Sequence, residues 1–422
     1  MKASHPLWQT ARALRGNQRA CVVTEPLWSL PYYFFAPYAS VYMAAIGLGD
    51  AQIGALASVG LAVQLVWAVF SGAIVDKLGR RRTILVFGLL SWTIPCVLWG
   101  MAQGYAHFMI AVVFNSMWRV SGNCFSCLIV ENGDSEKLVH VYTILSLIGL
   151  VAGFLLPLLG LCIDRFSLVP TMRVVYLASA AVMGAKYVLH YRLLRESAIG
   201  LRRMNACRGR SLFSLAFGGK DALITAFREA RLWPYVALMA LMNCFNTVQA
   251  TFWPLFVTGA YGVSASTFSL FPLVKAAITM VVYLLITPRI RLHAARNPLL
   301  SGLGAQAAGL AALLLCQGFG AAALAAVFFS ALCEAFALAI LSPLLESMLS
   351  VAIPARERAR VNSLIAALVL LISMPVGWIS GLLSQSDRML PFVLNLCILA
   401  AEVPVALRAA RISKQAGRAQ SA

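Results

Sequence analysis

Charge is scarce in this chain of 422 residues: Asp, Glu, Lys and Arg together make up 12% of it, against roughly 25% in a soluble domain. So little charge cannot coat a water-soluble body of this length. With 61% hydrophobic residues, the deficit means that lipid solvates much of the surface. Acidic residues are the rarer sign, 15 against 34 basic ones, for a net charge of +19. A balance this basic can mark a nucleic-acid binder. No RNA-recognition signature, zinc-finger spacing or low-complexity basic tail accompanies it, and the basic residues fall in short stretches between apolar runs. Nucleic acid is therefore not an expected partner, and the pattern fits the positive-inside rule.

Other absences narrow the function further. There is no HExxH, no GxSxG and no pairing among His5, His107, His140, His190 and His293, so the expectation is that the chain is not an enzyme. No GxxxxGK[ST] loop is present, which argues against ATP drive from this chain. Of ten cysteines only Cys124 and Cys127 have CxxC spacing. Without a second pair they read as packing residues, so no metal site, cofactor or disulfide framework is expected. No Asn-x-Ser/Thr acceptor occurs, which leans toward a bacterial source. The first apolar run follows Arg12, Arg15 and Arg19 and is too long for the core of a cleavable signal.

What is present is a series of apolar runs, each near the 20 residues a membrane helix needs. Twelve are expected: 27–47, 51–75, 83–102, 106–130, 140–163, 171–194, 233–259, 264–287, 297–317, 320–345, 360–383 and 389–408. The connections 77–82, 195–231, 288–296, 354–360 and 408–418 are rich in Arg and Lys, and the alternate ones are not. That alternation predicts both termini on the cytoplasmic side, and with the lean toward a bacterial source the expected location is the inner membrane. The longest connection divides the chain into a cytosolic segment 1–26, a bundle 27–194, a basic linker 195–231, a bundle 232–408 and a tail 409–422. Residues 211–230 could form an amphipathic helix on the anionic leaflet or a plain solvated linker. The halves match weakly but in register: the offset that carries Glu131 onto Glu346 also carries Arg119 onto Glu334.

Between the second and third runs stands Gly72-Ala-Ile-Val-Asp76-Lys77-Leu-Gly79-Arg80-Arg81. Gly79 permits a tight turn, Gly72 allows close helix packing, and Asp76 could pair with the neighbouring arginines or accept from a helix N-terminus near Arg358–Arg360. A plain charge anchor would need neither the Asp nor the glycines. This loop resembles the cytoplasmic signature of the major facilitator superfamily, met at Gly72, Asp76, Lys77, Gly79, Arg80 and Arg81. The resemblance implies an all-α fold of about twelve transmembrane helices in two six-helix bundles related by a pseudo-twofold, and a gate at this loop. The equivalent second-half loop, 287–296, has no Asp. Gly149, Gly153, Pro157 and Gly160 resemble a glycine–proline motif of exporters in this family, with the Pro displaced; small residues for packing are the plain alternative.

A charge near the bilayer centre costs at least about 2.5–3.5 kcal/mol, so each needs a partner or a wet cavity. Arg119, Lys275 and Glu334 fall near mid-span. Asn115, Arg119, Gly122, Asn123 and Ser126 form one helical stripe, and Asn243, Asn246, Gln249 and Trp253 a looser one. Tyr38 and Tyr42 stand one turn apart below Tyr32, Tyr33, Phe34 and Phe35. The resemblance implies a central cavity lined by the first, fourth, seventh and tenth spans, with Arg119 opposite Glu334. The expected substrate site is Tyr38, Tyr42, Asn115, Arg119, Asn123, Asn246, Gln249, Trp253, Lys275 and Glu334. Arg119 could clamp an anion; Glu334 could take a proton; an Arg119–Glu334 pair could merely lock two helices; or Lys275 could be the partner of Glu334. Glu131, Lys186, Glu346 and Glu402 lie nearer helix ends, where snorkelling or interfacial pairing suffices.

The expected function is a secondary active transporter of a small organic solute, proton-coupled and working by alternating access as a monomer in membrane lipid. Efflux of an amphipathic molecule is favoured. The alternatives are uptake of an anionic metabolite such as a carboxylate or sugar acid, or a transporter-like sensor or scaffold without flux.

Overall fold

Long apolar runs, with most charges in the connections and a few polar residues mid-span, should give helices that satisfy their own backbone. The computed structural model describes residues 6–131, 138–217, 232–286, 289–290, 294–317, 321–352 and 358–421. Among them there are helices and no strands. Two short helices, Pro6–Ala13 and Gly16–Thr24, precede twelve long segments. Nine described helices are long and apolar enough to cross a membrane. The three segments outside that set are the first (Pro26–Phe35, a 3-10 turn Ala36–Tyr38, and Ala39–Ala45), the fourth (Tyr105–Asn115 and Trp118–Glu131) and the seventh (Trp233–Gly259). The first and fourth are interrupted, so neither is one continuous helix of crossing length, and the continuous seventh carries Asn243, Asn246 and Gln249, which lower its hydropathy; these are three of the four spans expected to line a cavity.

The chain divides into two compact units. The first comprises Met1–Ala39, Ala62–Leu155 and Phe166–Gly218. Its central helix is the sixth span, Leu168–Leu193, which packs on Pro26–Phe35 and Ile94–Gly100. The third span contains a π-helical turn, Leu89–Thr93. Such turns disrupt the regular ladder, and here the Ser91 carbonyl accepts from Asn115 Nδ2 at 2.9 Å. The lead-in is docked and not free: Asn17 Nδ2 donates to the Arg195 carbonyl (2.8 Å), Arg195 N donates back to Asn17 Oδ1 (3.0 Å), and Gln18 Nε2 donates to the Ile129 carbonyl (2.7 Å). The basic connection carries short helices Ala198–Ala206 and Leu212–Phe217; the remainder of the candidate amphipathic helix, from residue 218, lies outside the described residues.

The second unit comprises Ser40–Leu61, Leu156–Arg165 and Gly219–Ala422. The seventh span packs on the eleventh (Arg358–Ser386) and twelfth (Leu390–Ser421), the eighth (Ala265–Leu285) on the tenth (Ala321–Ala352), and the ninth (Arg296–Leu315) on the tenth. Segments from the first sequence half join this unit at the end of the helices remote from Gly79. A Cβ on Gly54 would lie 2.8 Å from Gly381 Cα, and one on Gly160 would lie 2.8 Å from Ser269 Cβ. Only hydrogen fits at such close approaches.

Candidate functional site

In the second unit the eighth span begins at an N-cap, where Ser264 Oγ accepts from Thr267 N at 3.3 Å. This helix carries Lys275 to the face that meets the tenth span. Lys275 Nζ lies 2.8 Å from Glu334 Oε2, and Gln249 Nε2 donates to the same oxygen at 3.0 Å. The Lys275 ammonium stands 4.5 Å from the centre of the Trp253 ring, which packs edge-on against Phe271. Of the two partners expected for Glu334, the structure therefore joins it to Lys275. The pair is not sealed: the side chains are 26% and 13% exposed. Beside it, Gln249 Oε1 and Trp253 Nε1 are buried with no hydrogen-bond partner among the described residues. One unmet acceptor and one unmet donor next to an accessible ion pair are the elements of a polar binding site.

In the first unit Arg119 is half-buried on the fourth span, just past a break at Ser116–Met117. Its Nε donates to Gln64 Oε1 at 3.1 Å, and its guanidinium lies 4.3 Å from the centre of the Trp118 ring. It has no carboxylate partner among the described residues. The polar stripe forms, and much of it is used internally: Asn115 bonds the third span and Asn123 Nδ2 donates to Ser71 Oγ of the second at 3.2 Å. Tyr38 and Tyr42 are fully buried, and Asn246 is half-buried on the seventh span.

The loop motif builds a network. Gly79 follows the second span, Asp50–Leu78, at φ +81°, the left-handed conformation that glycine adopts without penalty. A Cβ there would also lie 2.6 Å from Met204 Sδ. The arginine that follows, Arg80, is buried, with Nη1 3.1 Å from Asp76 Oδ1 and Nη2 2.7 Å from Glu131 Oε1. Glu196 accepts from the backbone N–H groups of Arg80 (2.8 Å) and Arg81 (3.0 Å), filling the open donors of the third span's first turn. Lys77 Nζ donates to the Arg210 carbonyl at 3.0 Å, and Arg81 Nε to the Tyr191 carbonyl at 2.6 Å. Gly72 makes no close approach of the kind expected for it: no atom of the described residues lies within 4 Å of a Cβ placed there. The helix N-terminus near Arg358–Arg360, offered as an acceptor partner for Asp76, has side chains outside the described residues. Cys124 acts as a packing residue, its thiol donating to the Arg80 carbonyl at 3.1 Å.

Three features escaped sequence reasoning. Lys186 does not snorkel; it is buried, 3.0 Å from Glu25 Oε2, with Ser29 Oγ donating to Glu25 Oε1 at 3.2 Å. Those partners lie 161 residues apart, and by sequence Glu25 belongs to the segment 1–26 expected to be cytosolic. Asp50 accepts from Ser384 Oγ at 2.6 Å and lies 3.3 Å from Arg388 Nε. Glu402 neither snorkels nor pairs: it is fully buried and both its oxygens lack a partner among the described residues. Glu346 is exposed, and Glu131 is paired as expected of a helix-end carboxylate.

Comparison with known proteins places the fold. The family profile described as Major Facilitator Superfamily matches residues 28–401. No curated relative matches the chain significantly. Among solved structures, the nucleoside transporter NupG superposes with a TM-score of 0.69 at 12% identity, over 94% of this chain and 99% of that one. A peptide transporter, POT, in complex with sulfate gives 0.67 at 16% identity over 98% and 99%. A bacterial homolog of the human lysosomal transporter Spinster, inward-facing and occupied, gives 0.63 at 16% over 99% and 98%. At these identities the likeness is one of fold, the twelve-helix, two-bundle arrangement of transporters. The profile covers most of the chain, which is a multi-pass membrane protein belonging to the major facilitator superfamily.

Proposed function

We propose that the protein is a secondary active transporter of a small amphipathic organic anion, driven by protons through Glu334. The observation that carries the substrate class is Arg119: a guanidinium beside a tryptophan ring, half-buried, with an amide and, among the described residues, no carboxylate to answer its charge. Such a group binds a carboxylate or similar anion, and the ring supplies apolar contact. The unmet Gln249 Oε1 and Trp253 Nε1 support polar contacts to a solute in the second unit. Lys275–Glu334 suits coupling because protonation of Glu334 would discharge the carboxylate and release Lys275 from it, a charge change in an accessible pair. Alternating access is supported by the two ends: the Gly79 network at one, and at the other the contact of Gly54 with Gly381 and the Asp50–Arg388 pair.

Efflux is the preferred direction, because the exporter-like Gly160 sits at a close approach to Ser269. The Arg119 environment equally serves uptake of a carboxylate or sugar acid, and a single experiment separates the readings. Proteoliposomes under an imposed pH gradient are assayed for flux of aromatic carboxylates, sugar acids and cationic amphiphiles. Efflux of an anion against its gradient that stops in Arg119→Ala, and loses its pH dependence in Glu334→Gln, is the expected result. Flux of cations unaffected by Arg119→Ala would overturn the substrate class. Binding without flux across the panel would instead identify a sensor.

A further inference from the structure

The second unit contains a carboxyl that the cycle above does not use. Glu402 lies on the twelfth span, wholly buried, with neither oxygen bonded among the described residues. The twelfth span packs on the seventh, ninth and eleventh, and more lightly on the tenth. Among the described residues, a titratable group close to Glu402 is Cys244 of the seventh, whose thiol donates to Ser373 Oγ of the eleventh at 3.5 Å. Tyr235 of the seventh directs its hydroxyl to the Ala409 carbonyl at 3.4 Å. The cations of the neighbouring helices are occupied or turned outward: Arg296, Arg408 and Arg411 are exposed, Arg388 holds Asp50, and Lys275 holds Glu334. Glu346 of the tenth is exposed, and the side chains of Arg358 and Arg360 lie outside the described residues.

An ionised carboxylate without cation or donor is the most costly state for such a place, and the neutral acid much less so. A neutral acid placed for structure alone would direct its O–H at an acceptor, and neither oxygen is so engaged. Asn395 of the twelfth, whose Nδ2 donates to the Phe245 carbonyl of the seventh at 3.4 Å, leaves its Oδ1 buried and unpartnered among the described residues, so this seam holds a further polar atom able to bind water. Pro404, two residues on, supplies no N–H for the Ala400 carbonyl, which makes this part of the helix easier to bend and hydrate. We propose that Glu402 is a proton-binding site in its own right, distinct from Lys275–Glu334. It holds a proton while the seam between the seventh and twelfth spans is dry. When the seam takes up water the O–H bond breaks, the proton passes to water, and the carboxylate that remains takes up another proton before the seam closes.

The test is an infrared pH titration of the full-length protein in lipid vesicles, comparing wild type with Glu402→Gln, Glu402→Leu and Glu334→Gln, each checked for helix content. The expected result is a protonated-carboxyl band at neutral pH that disappears on the alkaline side. One carboxyl's worth of it should be lost in both Glu402 variants and kept in Glu334→Gln. A neutral-pH band that survives in the Glu402 variants, or no band at all, overturns the site. A band that depends on Glu402 but persists at alkaline pH makes it a fixed acid, which equally overturns proton exchange. Loss confined to Glu334→Gln would reject Glu402 while leaving the Lys275–Glu334 coupling intact, so the two readings fail separately.

Discussion

Each unit contains a lysine–glutamate pair lying against aromatic rings, and the two differ in access. In the first, Lys186–Glu25 is closed at 3.0 Å, its side chains 4% and 10% exposed, with Trp28, Phe125 and Tyr187 around the ammonium. In the second, Lys275–Glu334 is closed at 2.8 Å with one tryptophan alongside, and the lysine is 26% exposed. The first pair fastens the second of the lead-in helices and the first span to the sixth. The second can be reached, and the polar atoms beside it are unmet. Similar chemistry thus gives a fastener where the surroundings close over it and, in the mechanism proposed above, a switch where they do not. Removing one partner of a buried pair strands a charge; removing one partner of an accessible pair mainly removes a function.

The largest effect should come from Lys186→Met. Glu25 would be left buried with only Ser29 for company, a loss of about 3–5 kcal/mol, read as a lower unfolding midpoint of purified protein. Lys186→Met combined with Glu25→Leu should recover most of that loss, because two apolar groups replace two charges. An unchanged midpoint in the single variant would erase the contrast between the pairs.

Second comes Glu334→Gln. The Gln249 contact at 3.0 Å can be kept by an amide, so stability should fall by about 1–2 kcal/mol, between surface and buried pairs. Transport should lose its response to a pH gradient entirely. A variant that unfolds as readily as Lys186→Met would make both pairs fasteners.

These contrasts explain what could be read from the chain beforehand. Twelve helices were legible because apolar run length is a local property with a fixed ruler. Gly79 and the Asp76–Arg80 pair were legible because a left-handed turn requires glycine and an i, i+4 pair is set by helix geometry. Pairing across helices was not. Repeat register lays Arg119 over Glu334, but register cannot choose between two cations on different helices, and packing joined Glu334 to Lys275. Lys186 and Glu402 were misjudged for a related reason. Nearness to a helix end suggests water, but whether water is there depends on which neighbour covers that face, and that depends on the tertiary fold. Glu196 was missed as the cap of Arg80 and Arg81 because its reach spans 116 residues.

A third, smaller effect concerns the end remote from Gly79. Gly54→Val would press on Gly381 Cα, which a Cβ already approaches to 2.8 Å. The cost falls only on the conformation in which this end is closed, so the variant should fold and bind solute yet transport at least tenfold more slowly, a bias of about 1.4 kcal/mol or more. Normal flux would show that this contact is not broken and remade in the cycle.

The smallest effect tests whether a half-exposed pair can act as a latch at all. Arg388 is 40% exposed and its Nε stands 3.3 Å from Asp50, a geometry worth about 0.2–1 kcal/mol. Asp50→Asn keeps an acceptor for Ser384 and lies in the first turn of the second span, where losing a negative charge costs a few tenths of a kcal/mol more, roughly. The unfolding midpoint should barely move. If this end opens in the proposed alternating-access cycle, the pair forms only when it is closed, so the equilibrium between closed and open states should move. A cysteine introduced by Ser58→Cys, next to the Trp378 backbone N–H that Ser58 Oγ accepts at 2.7 Å, would report it through a severalfold faster reaction with a membrane-impermeant maleimide when Asp50→Asn is added. Equal rates with and without Asp50→Asn would mean that backbone contact between Gly54 and Gly381 closes this end alone, and that the ion pair only decorates it.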